Sequence, residues 1–156
     1  MAFFPGEVAT VAALKQGFRT NAAGDTDVRS GGGTTLGTID KSGGNLELYS
    51  SFTTLTQSGG ETVVGAGAPT TMHVRGGQMR YRSSGNFGTA NVASGGELDF
   101  RQDMRSRTGT NCNLYAGAIL RDPLKTLTVT NGLRLNNCAL GEITLDLGND
   151  LTLTRS

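Results

Sequence analysis

The sequence predicts an all-β protein, a single-domain parallel β-helix (solenoid), on the strength of three observations. First, a unit of strand, Gly-Gly corner and strand recurs over residues 38–100, and the first glycines of the pairs are 16, 17 and 19 residues apart at Gly43, Gly59, Gly76 and Gly95. Second, apolar and polar residues alternate beside each corner, which is the period of a strand with one buried face. Third, glycine is abundant at 24 residues, whereas proline is scarce at 3. Repeats of this length indicate stacked turns.

Weaker repeats extend the pattern towards the C-terminus, at residues 111–119, 127–135 and 143–153. Together with the first four they give about seven rungs of roughly 17 residues, and at a strand spacing of about 4.8 Å the column is roughly 30 Å tall. A rung this short is filled by side chains, so we expect no internal ligand cavity. The residues predicted to point inward are Leu46, Leu48, Thr62, Val64, Met79, Tyr81, Leu98, Phe100, Ile119, Leu133 and Leu135.

Residues 1–33 lie outside the repeat and are predicted to form an N-terminal arm, followed by the β-helix over residues 34–156. Within the arm, apolar residues at helical spacing predict one short amphipathic helix from about Glu7 to Phe18. Two interpretations are open. The helix either caps the first rung of the solenoid, or the arm docks on another subunit. In the second case its contact residues are Phe3, Phe4, Val11, Leu14 and Phe18.

The segment Arg101 to Gly109 is the most obvious protruding loop, and variable loops on a rigid ladder are where contacts usually lie. We therefore predict that Arg101, Arg105 and Arg107 contact a neighbouring protein. The alternative is a solvated face with ion pairs between rungs, such as Arg80 with Asp99. The C-terminal strand at residues 151–154 leaves an open β edge. Since closed symmetry commonly buries such features, we expect a homotrimer of laterally packed β-helices.

The search for chemistry indicates no active site. His73 is the only histidine, which excludes a metal site with two histidines, and we expect it to be structural. Serines stand beside glycine corners, where bonds to nearby backbone account for them. A glycoside hydrolase would need a carboxylate pair on the outer face. The candidates, Asp99, Asp103, Asp122 and Asp146, are scattered over several rungs, so we predict a protein that is not an enzyme, with no cofactor and no metal.

Charge and cysteine content point to no special partner. The formal net charge of +1 favours neither a nucleic-acid partner nor a membrane surface. No stretch has the length and hydrophobicity of a membrane span, and no signal peptide is evident. A disulfide between Cys112 and Cys138 is the alternative to two free thiols, which we expect and which suit synthesis in a host cytoplasm.

Two short segments, Ser42 to Leu48 and Ser94 to Phe100, share the pattern Ser-Gly-Gly-x-Leu-x-apolar. This pattern resembles the repeats of self-associating autotransporter passenger domains, and the rung length is similar to that of bactofilins. Both resemblances imply a parallel β-helix over about residues 38–100 and bring no functional residue with them. The overall build resembles small glycine-rich β-solenoid virion proteins of tailed bacteriophages, including capsid decoration proteins.

This last resemblance implies a non-enzymatic decoration (cement) protein on the surface of a virion, bound to the major capsid protein. The alternative is a carbohydrate-binding or adhesive β-helix module of a phage tail fibre or spike, or of a cell-surface adhesin. Sugar-binding surfaces of that kind combine exposed aromatic rings with carboxylates. With only three tyrosines and no tryptophan, the sequence favours the decoration protein.

Overall fold

A computed structural model describes residues 18–20 and 35–148 of the chain and confirms the parallel β-solenoid. The strands are β1 (Phe18–Thr20), β2 (Leu36–Lys41), β3 (Asn45–Leu48), β4 (Phe52–Gln57), β5 (Glu61–Val64), β6 (Thr71–Val74), β7 (Gln78–Tyr81), β8 (Phe87–Val92), β9 (Glu97–Asp99), β10 (Arg107–Leu114), β11 (Ile119–Arg121), β12 (Leu127–Val129), β13 (Leu133–Leu135) and β14 (Thr144–Asp146). One 3-10 helix, Leu140–Glu142, precedes β14.

These strands form two sheets in which the described pairings are parallel. Sheet I has the order β1-β2-β4-β6-β8-β10-β12, and β13 also pairs with β10. Sheet II has the order β3-β5-β7-β9-β11-β14. The chain passes from sheet I to sheet II through the glycine corners and returns through loops. The solenoid therefore has a corner edge and a loop edge.

The described residues make about six turns, one fewer than the sequence predicts. The difference arises in the repeat predicted at residues 127–135, where Asn131-Gly132 stands between two strands as a Gly-Gly pair does at a corner. Both β12 and β13 pair with β10, so they lie in the same sheet and are two pieces of one side of a turn. The strand that completes this turn is β14, which pairs with β11 in sheet II.

The first three corners stack backbone on backbone, and this contact requires glycine. At Gly60 and Gly77 φ is +73° and +69°, in the left-handed region that side chains disfavour. A Cβ on Gly77 would lie 2.1 Å from the carbonyl oxygen of Gly60. The turns are joined at this point by hydrogen bonds, for example 3.0 Å from the Gln78 amide to the Gly60 carbonyl. The repeated Gly-Gly pair is thus explained by close approach of successive turns.

The core lies between the two sheets in columns that follow the strand register. One column runs through Ile39, Leu55, Met72, Ala90 and Cys112, all fully buried. Its neighbour begins with polar residues, Lys41 and Gln57, before it becomes apolar. Burial of this continuous apolar interior is the main favourable free energy of the fold. Seven apolar residues that the sequence places in the core are confirmed there: Leu46, Leu48, Val64, Met79, Tyr81, Leu98 and Phe100.

Three of the predicted core residues are not buried. Ile119 pairs with Glu97 and is only half-buried, while the next residue, Leu120, pairs with Leu98 inside the core. A slip of one residue moves a side chain to the other face of a strand. Leu133 and Leu135 keep register with the inward column but are 36% and 42% exposed. No described strand lies beyond β13 in sheet I, so nothing in the described part of the chain covers them.

The predicted arm contributes to the solenoid as well. The strand β1 pairs in parallel with β2, with Phe18 opposite Ile39, although it lies within residues 1–33. Phe18 is therefore in a strand and not in the predicted helix. The rest of that helix, from Glu7, lies outside the described residues, as do Phe3, Phe4, Val11, Leu14 and the C-terminal strand at residues 151–154.

Candidate interaction surface

The connection between β9 and β10, residues 100–106, is the longest return loop of the described turns, and we call it the Met104 loop. The corresponding connections on the same edge are residues 49–51, 65–70, 82–86 and 122–126. The sequence predicts this protrusion as residues 101–109, but β10 already begins at Arg107. Loop 82–86 precedes it on the loop edge and loop 122–126 follows it.

Arg107 holds the base of the Met104 loop. Its side chain is fully enclosed, and its guanidinium donates to the carbonyl oxygens of Tyr81 at 2.7 Å, Asp103 at 2.9 Å and Arg105 at 2.6 Å. The cation also lies over the rings of Tyr81 and Phe100, 5.9 Å and 5.5 Å from their centroids. A buried charge is tolerated only when such partners replace water. The loop backbone is thereby tied to the core.

An aromatic cluster supports Arg107 from below. Tyr81 and Phe87 pack edge to face with centroids 5.5 Å apart, and Phe100 lies 5.5 Å from Tyr81. The Tyr81 hydroxyl donates to the carbonyl of Gly85 at 2.7 Å, which links the cluster to loop 82–86. Rings in such arrangements restrict each other's motion through close packing. The Met104 loop therefore lies on a closely packed aromatic cluster.

Two ion pairs hold the sides of the loop. Arg105 donates to both carboxylate oxygens of Asp103, and Arg101 donates to Asp99 from its backbone, Nε and Nη2 at 2.8–2.9 Å. The hydrogen bonds from Arg105 hold the pKa of Asp103 well below its usual range. Burial alone would raise the pKa of Asp99, but the hydrogen bonds from Arg101 outweigh it and lower that pKa. Both carboxylates are thus ionised and paired with the arginines of the loop.

Met104 stands at the tip of this braced loop with 83% of its surface exposed. Met104 forms no part of the core, although the loop that carries it is fixed on both sides. Among the exposed large apolar residues of the described chain it is the most exposed. It is the residue that the sequence interpretation missed, because a single methionine among arginines, Asp103 and serine gives no periodic signal. An anchored apolar tip is suited to insertion into a pocket on another molecule.

The predicted contact residues divide into three groups. Arg101 and Arg105 are exposed, with 43% and 60% of their side chains accessible, as a contact role requires. Arg107 is buried and holds the loop instead of facing a partner. Phe18 lies in β1, and the other four arm residues lie outside the described residues. An interface through the arm stays a prediction.

The outer face of sheet II carries a network of alternating charges. The predicted register of Arg80 with Asp99 is confirmed, although Arg80 pairs with Glu61 at 2.9 Å while Asp99 pairs with Arg101. Glu97 accepts from Gln78 at 3.0 Å and from Arg121 at 2.9 Å. Exposed pairs of this kind contribute little each. This face is satisfied by its own partners.

The outer face of sheet I is uncharged over its middle turns. Thr54, Thr71 and Thr89 follow one another in register, and an amide ladder continues beside them, with Asn113 donating to Asn91 at 2.9 Å. His73 lies in this ladder, 3.2 Å from the Asn91 amide, and burial lowers its pKa, as does Arg75. His73 therefore occupies the outward structural column that the sequence predicts.

The remaining carboxylates considered for catalysis have structural partners. Asp122 accepts from the amides of Thr126 and Leu127 at 3.0 Å and 2.9 Å, which closes loop 122–126. Asp146 lies 3.8 Å from Arg121. Cys112 and Cys138 are free thiols, as predicted, and burial raises the pKa of Cys112 to about 12. Among the described residues no group of histidine, cysteine and carboxylate side chains is arranged to hold a metal ion.

Comparison of the chain with protein-family models, with curated proteins and with solved structures found no match. In the described part of the chain, no helix combines the length and the hydrophobicity needed to cross a membrane. The class of protein is therefore defined by the fold alone, a two-sheet parallel β-solenoid. This fold is compatible with many functions, which depend on the surfaces it carries.

Proposed function

We propose that this chain is a non-enzymatic structural protein that docks on a neighbouring protein through the Met104 loop. The observation that carries the proposal is the exposed Met104 on a loop fastened by the buried Arg107. A rigid loop loses little conformational entropy on binding, so the buried apolar contact is retained as affinity. The charged face of sheet II, whose side chains bond to each other, serves to keep the solenoid solvated.

In its specific form, the proposal is a decoration (cement) protein of a bacteriophage capsid, bound to the major capsid protein on the virion surface. The build that suggests this, a short glycine-rich solenoid behind a separate N-terminal segment, comes from the sequence. A homotrimer packed around a threefold axis would present three Met104 loops to the capsid at once. Several weak contacts then act together and strengthen attachment.

Heating of capsids tests the proposal. Capsids of the encoding virus that lack this protein are mixed with the purified chain, and binding and rupture temperature are measured. We expect the natural chain to bind and raise the rupture temperature, and Met104→Asp to lower affinity by at least about tenfold. The control is Leu140→Asp, which changes an exposed apolar residue beyond the corner edge. Equal rupture temperatures with and without the natural chain would count against a cement role.

The outer face of sheet I favours a second function, a carbohydrate-binding or adhesive module. Thr54, Thr56 and Thr71 present hydroxyls in two adjacent columns at the strand spacing. Hydroxyl groups are uncharged and both donate and accept hydrogen bonds, so they match the hydroxyls of neutral sugars. A glycan array separates the two functions. Binding that disappears in Thr54→Val/Thr71→Val and persists in Met104→Asp would favour the adhesive module.

A further inference from the structure

The geometry points to a specific kind of partner for the Met104 loop: a protein surface with an apolar pocket whose rim carries carboxylates. This inference rests on the proposed docking function and deepens it. The charges of the loop region lie at two levels. The acidic side chains of the loop region lie low, with 2% of Asp99 and 14% of Asp103 accessible. Their arginine partners lie above them and face outward.

The guanidinium groups keep donors for a partner. Within the described part of the chain, the guanidinium groups of Arg101 and Arg105 donate hydrogen bonds through Nε and Nη2. Nη1 of each group makes no hydrogen bond to the described residues. A guanidinium carries five N–H donors in a planar fork. Each arginine can therefore bind an internal carboxylate on one edge and a partner carboxylate on the other.

Arg82 adds a third cation to the same rim. It is exposed at the start of loop 82–86, and its carbonyl oxygen accepts a hydrogen bond from Arg105 Nη2 at 3.1 Å. This bond holds loop 82–86 beside the Met104 loop. Arg82, Arg101 and Arg105 thus share the loop edge with the exposed tip of Met104. The surface offered to a partner combines one apolar tip with three cations.

The apolar tip decides between two kinds of acidic partner. A polyanion such as a sulfated polysaccharide would bind the arginines but gains nothing from Met104, because it offers no apolar cavity. A protein pocket with a rim of aspartate or glutamate satisfies both features. Complementary charges at the rim of an interface mainly raise the association rate and its salt dependence, whereas the buried centre sets the affinity.

The test uses Arg82→Gln, because the side chain of Arg82 has no partner among the described residues and its loss leaves the loop contacts in place. The matched control is Arg75→Gln, which removes the same charge at a corner on the opposite edge. Binding to capsids of the encoding virus is measured at about 50 mM and about 500 mM salt. We expect Arg82→Gln to weaken binding about two- to fivefold at low salt, with the difference lost at high salt, and Arg75→Gln to bind like the natural chain.

The other outcomes assign failure to one proposal or the other. If Arg82→Gln equals Arg75→Gln and salt has no effect, while Met104→Asp still loses binding, the acidic rim is wrong and docking through the loop stands. If Met104→Asp binds capsids like the natural chain, or the natural chain does not bind them, the docking function fails and this inference with it. Immobilised heparin serves as the polyanion probe. Retention on heparin that depends on Arg82 but not on Met104 would overturn the protein pocket in favour of a polyanion.

Discussion

The glycine corners and the Met104 loop, on opposite edges of the solenoid, are held in place by different groups. At the corner edge, successive turns touch through backbone atoms, and Gly60 and Gly77 are required because a Cβ would collide with the turn before. At the loop edge, loops 65–70 and 82–86 also touch through backbone atoms, since a Cβ on Gly85 would lie 2.1 Å from the carbonyl oxygen of Gly67. The Met104 loop and loop 122–126 depend in addition on side chains such as Arg107 and Asp122. Backbone packing therefore fixes the stacking of the turns, whereas the longer Met104 loop is shaped by its own side chains and is free to carry function.

Gly77→Ala is expected to have the largest effect, because it breaks the corner edge. The substitution places a side chain at a φ of +69°, which costs about 1–2 kcal/mol, and directs its Cβ to within 2.1 Å of the Gly60 carbonyl oxygen. We expect the free energy of unfolding, measured with urea, to fall by more than about 3 kcal/mol in total. Because that carbonyl belongs to the preceding turn, the clash cannot be relieved by a side-chain rotation.

Gly132→Ala is the matched control, since Gly132 has a φ of +73° but nothing within 4 Å of the added Cβ. This variant should lose only about 1–2 kcal/mol of stability, which is what a Cβ costs in the left-handed backbone conformation. Similar losses for the two variants would show that φ alone matters and that stacking of the corners does not.

Lys41→Met is expected to have the next largest effect, and it tests a polar position at the corner edge. The Lys41 ammonium is buried beneath the second corner and donates to the Gly59 carbonyl at 2.8 Å. Burial lowers its pKa from 10.5 to about 8, although Glu61 opposes the shift. Between these values the unfolded chain binds more protons than the folded chain, so stability rises with pH. The free energy of unfolding therefore increases by roughly 3 kcal/mol between pH 8 and pH 10.5, with no increase from Lys41 below or above this range.

The measurement is the difference in unfolding free energy between the natural chain and Lys41→Met over this pH range. Cys112 acts in the opposite direction above its ordinary pKa of 9.0, since its folded pKa is about 12, but it is present in both proteins and cancels. We expect Lys41→Met to be more stable near pH 7, where the natural chain carries the buried charge, and this advantage to shrink as pH rises. A difference that does not change with pH would mean that Lys41 is not buried as a charged group.

The sequence predicts the corner edge far better than the loop edge, for a physical reason. Corners depend on glycine at a fixed spacing, which a single chain displays directly. The repeat at residues 127–135 contains no stacked corner, because Gly132 has a positive φ but no turn packed against it, and the sequence does not distinguish these two uses of glycine. Arg107 is predicted at the surface because it lies in the segment that the sequence predicts to protrude, but its burial depends on Tyr81, which is 26 residues away along the chain. Contacts of that range have no local signal.

Arg107→Met is expected to have the smallest effect on global stability and to separate the two edges. Loss of the guanidinium leaves the Tyr81 carbonyl without its partner and releases the carbonyls of Asp103 and Arg105. A buried acceptor left unpaired costs about 1–3 kcal/mol, and removal of a buried charge offsets part of it. The main result should be a looser Met104 loop, because the variant keeps the length of the side chain but loses its donors.

Hydrogen exchange locates this effect. In Arg107→Met we expect faster exchange at the amides of Arg101 and Arg105, which donate to the carboxylates of Asp99 and Asp103. We also expect a loss of capsid binding similar to that of Met104→Asp. Amides that join the corners, such as those of Gln78 and Glu97, should keep their protection because their acceptors are backbone carbonyls of the preceding turn. If the corner amides lose protection as much as the loop amides do, the two edges unfold together. The side chains of the Met104 loop would then help to hold the stack of turns, and the claim that the corners are stable independently of this loop would be wrong.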